Sequence, residues 1–357
     1  MDLSELEFFS GKKVFITGHT GFKGAWLTQI MIRSNALVCG YSLPNLDHES
    51  HFEGMGLKNL ITHIEGDIRD EIFLSESMSA FQPDIVFHLA AQALVKPAYI
   101  DPVDTFSTNV MGSLNVLQAV KKCDSVKSMV YVTSDKCYEN VEWEWGYRET
   151  DELGGHDPYS SSKAAAEIVF SSYTRSFYKD RTSLGTASVR AGNVIGGGDF
   201  SLDRIVPDCI RAIRKNNPIE LRNPQSTRPW QHVLEPLSGY ILLAQKLFEN
   251  PLKYSDSWNF GPGSQEPRNV GEVAQKIVDQ YGKGSILLGA VPSDFHEANL
   301  LQLNCDRAHH ILGWKPRWDV EKTLNITAEW YRLVDSGSSM QEVTNTHIND
   351  YFGESND

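Results

Sequence analysis

Short apolar runs alternate with amphipathic segments through the first half of the chain. The runs that read as buried strands are Lys13–Thr17, Leu37–Ser42, Asp84–Ala90, Lys127–Ser134 and Thr186–Ala191. Segments with helical periodicity follow, among them Phe106–Val120 and Tyr159–Tyr178. Parallel strands need crossover helices, and they are apolar because helices cover both faces of the sheet. The alternation therefore predicts an α/β fold with a doubly wound parallel sheet, with ligands at the carboxyl ends of its strands.

The alternation of strand and helix patterns ends after Ala191, where the sequence contains repeated glycine and proline residues. We expect a smaller second lobe to begin here. The helical segment Val233–Phe248 and the strand-like Ser257–Gly261 are expected to return to the first lobe. The predicted first lobe thus comprises residues 1–190 and about 231–262, and the second about 191–230 and 263–357.

The overall charge of the chain is acidic, with 33 Lys or Arg against 46 Asp or Glu and a formal net charge of −13. This balance argues against nucleic acid or an anionic membrane surface as a partner. Between Arg190 and Trp230, however, seven Lys or Arg stand against four Asp or Glu. A phosphate-bearing ligand would find its cations in this basic patch of the second lobe.

The five cysteines are widely spaced and include no CxxC pair. They are typical of reduced thiols, and neither a disulfide framework nor a metal site is expected. The chain begins with acidic residues, unlike a signal peptide, and no apolar run reaches the roughly 18 residues of a membrane span. We therefore expect a cytoplasmic protein.

The segment TGHTGFKG, at residues 17–24, follows the first strand and opens a helix. Glycines at such a turn let the backbone approach a pyrophosphate, whose charge the helix amino terminus then stabilises. A ligand-free turn is the alternative, but the position at the first strand of a long α/β series favours binding of a nicotinamide dinucleotide. The residues expected to contact it are Gly18, Thr20, Gly21, Phe22, Lys23 and Gly24.

Two later strand ends suit the same cofactor. Asp67 and Ile68 could place a carboxylate and an apolar side chain around adenine, although Asp67 alone would read as a helix cap. Leu89, Ala90 and Ala91 offer small residues where the backbone must approach ribose and phosphates. These five residues are therefore added to the predicted cofactor site.

The end of the second strand lacks the acid that usually binds the adenosine ribose hydroxyls. The sequence there, GYSLP at residues 40–44, contains neither an acid nor an arginine cluster. NAD is favoured over NADP, but this segment does not decide between them.

Tyr159 and Lys163 lie four residues apart, on one face of a helix that Asp157 and Pro158 are expected to start. A tyrosine acts as a base only if its pKa falls from about 10 toward neutrality. We expect the lysine ammonium and the positive nicotinamide ring to cause that fall. The tyrosinate would take a proton from a substrate hydroxyl held by Ser134, while the attached carbon gives a hydride to the ring.

Several motifs in order resemble the extended short-chain dehydrogenase/reductase family. They are TGHTGFKG, HLAAQ, Thr108-Asn109, VTSDK, YSSSK, RAGNVIGGGDF and RPWQHV, and they cover nearly the whole chain. The resemblance implies a Rossmann-type lobe for NAD, a carboxy-terminal lobe for a nucleotide-sugar, and a homodimer or dimer of dimers built on paired helices. It also implies a cofactor contact for Asn109 and a place in deoxysugar biosynthesis, such as that of lipopolysaccharide O-antigen.

Within this family, the residues after Ser134 separate the reaction types. Epimerases have small residues there, whereas nucleotide-sugar 4,6-dehydratases need an acid and a base to remove water across C5 and C6. Asp135 and Lys136 resemble the pair in dehydratases that act on CDP-glucose. The resemblance thus implies a hydro-lyase with Lys136 as the C5 base and Asp135 as the acid for the C6 hydroxyl. Partial burial and the oxidised nicotinamide ring would lower the pKa of Lys136, whereas the charge of Asp135 would raise it, so the sequence leaves the net direction open.

Three further residues align with substrate contacts of the family. Asn193 would contact the sugar-nucleotide, and Arg204 and Arg228 would bind its pyrophosphate, for which the arginine fork is suited. A solvated arginine is the ordinary alternative for each. The segment His296–Asn299 is expected to line the sugar pocket.

Two other functions stay open at this point. A nucleotide-sugar 4-epimerase would use the same hydride chemistry without loss of water. A non-enzymatic dinucleotide sensor typically lacks the tyrosine or the lysine, and Tyr159 and Lys163 are both present.

Overall fold

The computed structural model describes residues 5–44, 49–221, 223–263, 268–287 and 300–353. The strands are β1 (Lys13–Thr17), β2 (Leu37–Ser42), β3 (Thr62–Glu65), β4 (Ile85–His88), β5 (Ser128–Val132), β6 (Gly185–Arg190), β7 (Val194–Ile195), β8 (Ile219–Glu220), β9 (Thr227–Arg228), β10 (Gln231–His232), β11 (Ser257–Asn259), β12 (Arg268–Asn269) and β13 (Ile286–Leu287). The α-helices are α1 (Phe22–Arg33), α2 (His51–Gly54), α3 (Glu71–Phe81), α4 (Val95–Ile100), α5 (Pro102–Phe106), α6 (Ser113–Lys122), α7 (Pro158–Tyr173), α8 (Ile205–Arg214), α9 (Leu234–Glu249), α10 (Pro251–Tyr254), α11 (Val270–Tyr281), α12 (Val320–Asp335) and α13 (Met340–Gly353).

A seven-stranded sheet of order β11-β6-β5-β4-β1-β2-β3 forms the centre of the molecule. Every neighbouring pair is parallel. Apolar side chains of β1, β4 and β5, such as Val14, Phe87 and Val130, are fully buried because helices cover both faces. The strand order reverses between β1 and β4, and ligands of open parallel sheets bind at such a switch point. The predicted Rossmann-type doubly wound sheet is confirmed.

One predicted helix begins where its expected starting residues Asp157 and Pro158 indicate, and both predicted helices contain a π-helical stretch. Asp157 accepts a hydrogen bond from the Ser160 amide and Pro158 occupies the first turn, so α7 begins as expected. It continues into a π-helical segment at Thr174–Tyr178. The predicted Phe106–Val120 helix is divided by another π-helical segment, Ser107–Gly112. The motif residue Asn109 therefore lies on irregular helix.

The segment after β10 returns to the main sheet. Strand β11 pairs with β6, and the Ser128 hydroxyl of β5 donates to the Ala244 carbonyl of α9. Three two-stranded ladders, β7 with β10, β9 with β12 and β8 with β13, form outside the main sheet. The division into two lobes stays a prediction, and these contacts are compatible with its discontinuous boundaries.

The carboxy-terminal helices pack against α1. Trp26 of α1 is fully buried, donates to the Gly197 carbonyl, and contacts the rings of His51 and His347. The Trp330 indole of α12 and the His51 ring both hydrogen-bond the Thr344 hydroxyl of α13. These contacts fix the helix that follows the glycine-rich turn.

All five cysteines are buried and unpaired. In the described ranges no helix is both long and apolar enough to cross a membrane. The same ranges contain no cluster of three or more His, Cys, Asp or Glu side chains suited to a metal ion.

Candidate active site

A cavity of about 870 Å³ opens at the carboxyl ends of β1, β4 and β5 and extends to the segments after Ala191. Among the residues that the structure describes, all the predicted site residues line it except Asn109. These lining residues are Gly18, Thr20, Gly21, Phe22, Lys23, Gly24, Asp67, Ile68, Leu89, Ala90, Ala91, Ser134, Asp135, Lys136, Tyr159, Lys163, Asn193, Arg204 and Arg228. The tertiary structure thus brings residues more than 200 positions apart into one chamber.

The glycine-rich turn is closely packed, as a dinucleotide cradle requires. Gly18 has a φ of +73°, and a Cβ there would lie 2.6 Å from the Ala90 nitrogen. A Cβ at Gly24 would lie 2.1 Å from the Gly18 oxygen. Helix α1 begins after Gly21, where no side chain caps the first amides. These amides and the helix dipole suit a pyrophosphate, so the residues fit the predicted cofactor.

The adenine end of the predicted cofactor site carries a fixed carboxylate. Asp67 accepts bonds from the Arg69 guanidinium, with the nearest N–O distance at 2.6 Å, and this pairing lowers the pKa of Asp67. Arg69 also pairs with Asp104. The cap of α3 is Asp70, whose side chain accepts from the Phe73 amide. The alternative of Asp67 as helix cap is therefore wrong.

Asn109 is buried in the wall of the cavity and does not line it. Its amide nitrogen donates to the Gln92 carbonyl and the Ser162 hydroxyl, each at 2.9 Å, and its oxygen accepts from the Gln92 amide. Because both polar atoms are used within the protein, Asn109 holds the segment after β4 against α7. Asn109 therefore supports the wall of the cavity, and the contact with the cofactor that the resemblance implied is not what its side-chain bonds indicate.

Tyr159 and Lys163 lie one turn apart on α7, and both side chains are buried. Burial raises the pKa of Tyr159 to about 12, whereas its hydrogen bond with Ser134 and the charge of Arg204 oppose the rise. Burial lowers the pKa of Lys163 to about 8, against the charge of Glu167. The fall expected for the tyrosine is thus not produced by these protein groups, because desolvation of the phenolate outweighs them.

Asp135 and Lys136 follow Ser134 in a 3-10 turn at Asp135–Cys137. Asp135 is buried and accepts a hydrogen bond from the Ser134 hydroxyl at 2.9 Å. A Cβ at Gly192 would lie 1.7 Å from the carboxylate, so only glycine leaves room for this placement. Lys136 is exposed on the cavity wall, and the expected partial burial is wrong because its side chain faces the open chamber.

The cationic side chains of Lys23, Arg204 and Arg228 also line the chamber. Arg204 pairs with the buried Asp199 at 3.2 Å, and Arg228 lies on the short strand β9. Burial lowers the pKa of Lys23 to about 8. The nearby charge of Arg204 also lowers this pKa, whereas the charge of Asp135 raises it. A phosphate-bearing ligand would meet several positive charges here. Segment His296–Asn299, predicted to line the sugar pocket, lies outside the described residues.

Sequence reasoning missed a buried ion pair next to these residues. The guanidinium of Arg190, at the end of β6, lies 2.9 Å from the carboxylate of Glu167 on α7. A signal was present, because Glu167 follows Lys163 by four residues and Tyr159 by eight and so shares their helix face. Asp199, the partner of Arg204, lies in the RAGNVIGGGDF motif, but no function was predicted for it.

Comparison with known families agrees with this geometry. The model of the family described as GDP-mannose 4,6 dehydratase matches residues 15–327. The chain belongs to this family. It is 46% identical over 349 residues to CDP-glucose 4,6-dehydratase of Salmonella typhimurium, covering 97% of each chain. The motif-based resemblance to nucleotide-sugar dehydratases is confirmed.

More distant relatives share the fold. The chain is 24% identical to the mouse dTDP-D-glucose 4,6-dehydratase, over 90% of this chain and 89% of that one. It superposes on the dTDP-glucose 4,6-dehydratase of Bacillus anthracis in complex with NAD with a TM-score of 0.77, at 20% identity, over 92% and 98% of the two chains. It superposes on the epimerase Mth375 of Methanothermobacter thermautotrophicus with a TM-score of 0.81, at 22% identity, over 96% and 97%.

Proposed function

We propose that this protein is an NAD-dependent hydro-lyase that converts CDP-glucose into CDP-4-keto-6-deoxyglucose. One observation carries the proposal: Ser134, Tyr159 and Lys163 share a single cavity with Asp135 and Lys136. The first three suit removal and return of a hydride, and the last two suit loss of water. The 46% identity to a CDP-glucose 4,6-dehydratase supports the same assignment.

The first step is oxidation at C4 of the sugar. Tyr159 would take the C4 hydroxyl proton as a phenolate, with Ser134 holding the same oxygen and the Lys163 ammonium stabilising the negative charge. When bound, NAD would supply the acceptor for the C4 hydride, the donor for C6, and a positive ring that favours the phenolate. Residues Gly18 to Gly24 would hold its pyrophosphate.

The second step is loss of water across C5 and C6. A ketone at C4 makes the C5 proton acidic, and Lys136 as a neutral amine would remove it. Asp135, in its protonated form, would donate its proton to the departing C6 hydroxyl, which leaves as water. Return of the hydride to C6 and of a proton to C5 completes a redox-neutral reaction. Both side chains line the cavity, which supports these two roles.

Binding of the nucleotide-sugar is assigned to the second half of the cavity. Arg204 and Arg228 would bind the pyrophosphate, because guanidinium groups donate paired hydrogen bonds to phosphate oxygens. Asn193, held at a left-handed φ of 53° beside the reaction centre, would contact the sugar.

The decisive experiment is incubation with CDP-, dTDP-, UDP- and GDP-glucose, scored by mass for the loss of one water. We expect water loss with CDP-glucose, no net formation of reduced cofactor, and transfer of deuterium from C4 of the substrate to C6 of the product. Recovery of a 4-epimer without water loss would instead show the epimerase reaction. Accumulation of reduced cofactor in proportion to product would show a simple dehydrogenase.

We also propose a homodimer built on paired helices, or a dimer of two such dimers. Exposed apolar side chains on two neighbouring helical segments support it. They are Val103 and Met111 on the segment from α5 to Gly112, and Ile168 and Phe177 on the segment from α7 to Tyr178. Light scattering should give at least twice the mass of 40.1 kDa, and Ile168→Glu should reduce it to the monomer. Cytoplasmic location and a role in O-antigen synthesis stay predictions.

A further inference from the structure

The ion pair between Arg190 and Glu167 is buried on all sides. Their side chains are 3% and 2% exposed. The Arg190 Nε donates to Glu167 Oε1 at 3.0 Å, and Nη2 donates to Oε2 at 2.9 Å. Removing two charges from water has a cost that their attraction often fails to recover. A contribution to the stability of the fold therefore does not by itself explain why this chain has a buried ion pair here.

Glu167 and Arg190 also form hydrogen bonds with residues on the elements around the reaction centre. Glu167 accepts from the hydroxyls of Thr133 and Ser188, at 2.5 and 2.8 Å. Arg190 Nη1 donates to the Tyr138 hydroxyl at 2.7 Å and to the Glu149 carbonyl at 3.1 Å. One pair thus ties together the end of β5, strand β6, helix α7 and the segment after the 3-10 turn.

These partners bracket the proposed acid and base in sequence. Thr133 directly precedes Ser134, and Tyr138 ends the turn that contains Asp135 and Lys136. The Tyr138 hydroxyl also donates to the Asn259 amide oxygen of β11 at 2.8 Å. The loop is therefore anchored at both ends to the same buried charges.

Glu167 also acts on the lysine of the hydride-transfer pair. It lies one helical turn beyond Lys163, and its charge favours the ammonium form and opposes the effect of burial on the pKa. Cys137 also faces Lys163, and Lys23 and His88 lie within electrostatic range of it from α1 and β4. Of these neighbours of Lys163, Glu167 is the carboxylate, and it lies on the same face of α7 as the lysine.

We propose that Arg190 and Glu167 are positioning residues for both halves of the reaction. Through Thr133 and Tyr138 they hold the loop of Asp135 and Lys136 in register with the substrate. Glu167, one helical turn beyond Lys163, supplies a carboxylate on the helix face of that lysine. This inference rests on the proposed dehydratase function and names residues that do not touch the substrate.

Tyr138→Phe tests the loop anchor with little risk to folding, since it removes one hydroxyl and keeps the ring. Displacement of a catalytic group by about 1 Å costs up to about a hundredfold in rate. We expect water loss from CDP-glucose to slow about tenfold or more, while single-turnover C4 oxidation and KM change less than about twofold. Reduced cofactor and a 4-keto-glucose intermediate should therefore accumulate during turnover.

The matched control is Tyr178→Phe. It also removes a buried tyrosine hydroxyl, which donates to the Leu117 carbonyl away from the cavity. This control should turn over normally without accumulation of the intermediate. A Tyr138→Phe enzyme that behaves like the control would overturn the loop anchor.

Glu167→Gln tests the effect on Lys163. Loss of the nearby charge should lower the pKa of the ammonium, so the alkaline limit of the C4 oxidation rate should move to lower pH by about one unit or more. A folded variant with an unshifted profile would overturn this half of the proposal, and Tyr138→Phe still tests the other half if Glu167→Gln does not fold. A wild-type enzyme that removes no water from CDP-glucose would overturn the proposed function and this inference with it. Normal wild-type dehydration with unaffected variants would overturn only this inference.

Discussion

The two proposed catalytic pairs differ in how the protein supports them. Tyr159 and Lys163 lie on the sixteen-residue helix α7, one turn apart and buried. Asp135 and Lys136 lie in a turn of three residues, where the first is buried and the second is exposed. The helix places its pair through local backbone hydrogen bonds. The turn depends on groups distant in sequence, above all Gly192 and the Arg190 side chain.

This difference has a consequence for the chemistry. A pair held by a regular helix tolerates changes elsewhere, whereas a pair held by distant contacts is displaced when one of them is lost. Hydride transfer and water loss should therefore respond to different substitutions. The following variants separate the two, beginning with the largest expected effect.

Tyr159→Phe should disable the helix pair alone. It keeps the ring but removes the ionisable oxygen, so C4 oxidation should slow by about 10²–10⁴-fold, as for the loss of a general base. Binding of NAD should survive. The rate is measured as the single-turnover appearance of reduced cofactor, and near-normal turnover would refute the base assignment.

Lys136→Met should disable the loop pair alone. Oxidation at C4 should proceed, but water loss should fall by about 10²-fold or more because no amine removes the C5 proton. Rapid quench and mass analysis should find a 4-keto-glucose nucleotide and reduced cofactor on the enzyme. Normal dehydration, or failure already at C4 oxidation, would contradict the role of Lys136.

Gly192→Ala should displace Asp135 without changing a catalytic group. The added Cβ would overlap the carboxylate, so the loop must move, and water loss should slow by about ten- to a hundredfold. Gly263→Ala is the matched control, since a Cβ there lies 3.9 Å from its nearest neighbour, Pro316. Equal effects of the two variants on both steps would argue against the dependence of the loop on Gly192.

Arg228→Lys should affect neither catalytic pair. It therefore shows how the enzyme responds when only substrate binding is weakened. Lysine keeps the charge but loses the fork that binds two phosphate oxygens, so KM for CDP-glucose should rise about tenfold with little change in kcat. Affinity for NAD should not change. An unaltered KM would place Arg228 among the solvated surface arginines.

Much of the fold could be predicted from the sequence because its signals are local. The predicted bounds of β1 and β2 match the structure, and α7 begins at Pro158 after its Asp157 cap. The π-helical segment Ser107–Gly112 was not predicted, since its composition does not distinguish it from α-helix.

The candidate site was predicted less completely. The motif residues of segments 18–24, 89–91 and 134–136 reach the cavity because each segment follows a strand, and parallel strands end at one edge of the sheet. Asn109 was expected to contact the cofactor, yet its amide is used by Gln92 and Ser162. The spacing places Glu167 on the helix face of Tyr159 and Lys163, but nothing local relates α7 to β6, so its pairing with Arg190 could not be predicted.

The sequence by itself determined the parallel sheet, the glycine-rich turn and the spacing of Tyr159 and Lys163. These features follow from backbone hydrogen bonding and from side-chain periodicity, which act over a few residues. Only the tertiary structure decided that Asp135 is buried against Gly192, that Lys136 is exposed, and that Glu167 and Arg190 form a buried ion pair between α7 and β6. Burial and electrostatic environment depend on which distant segments pack together, and that is a property of the whole fold.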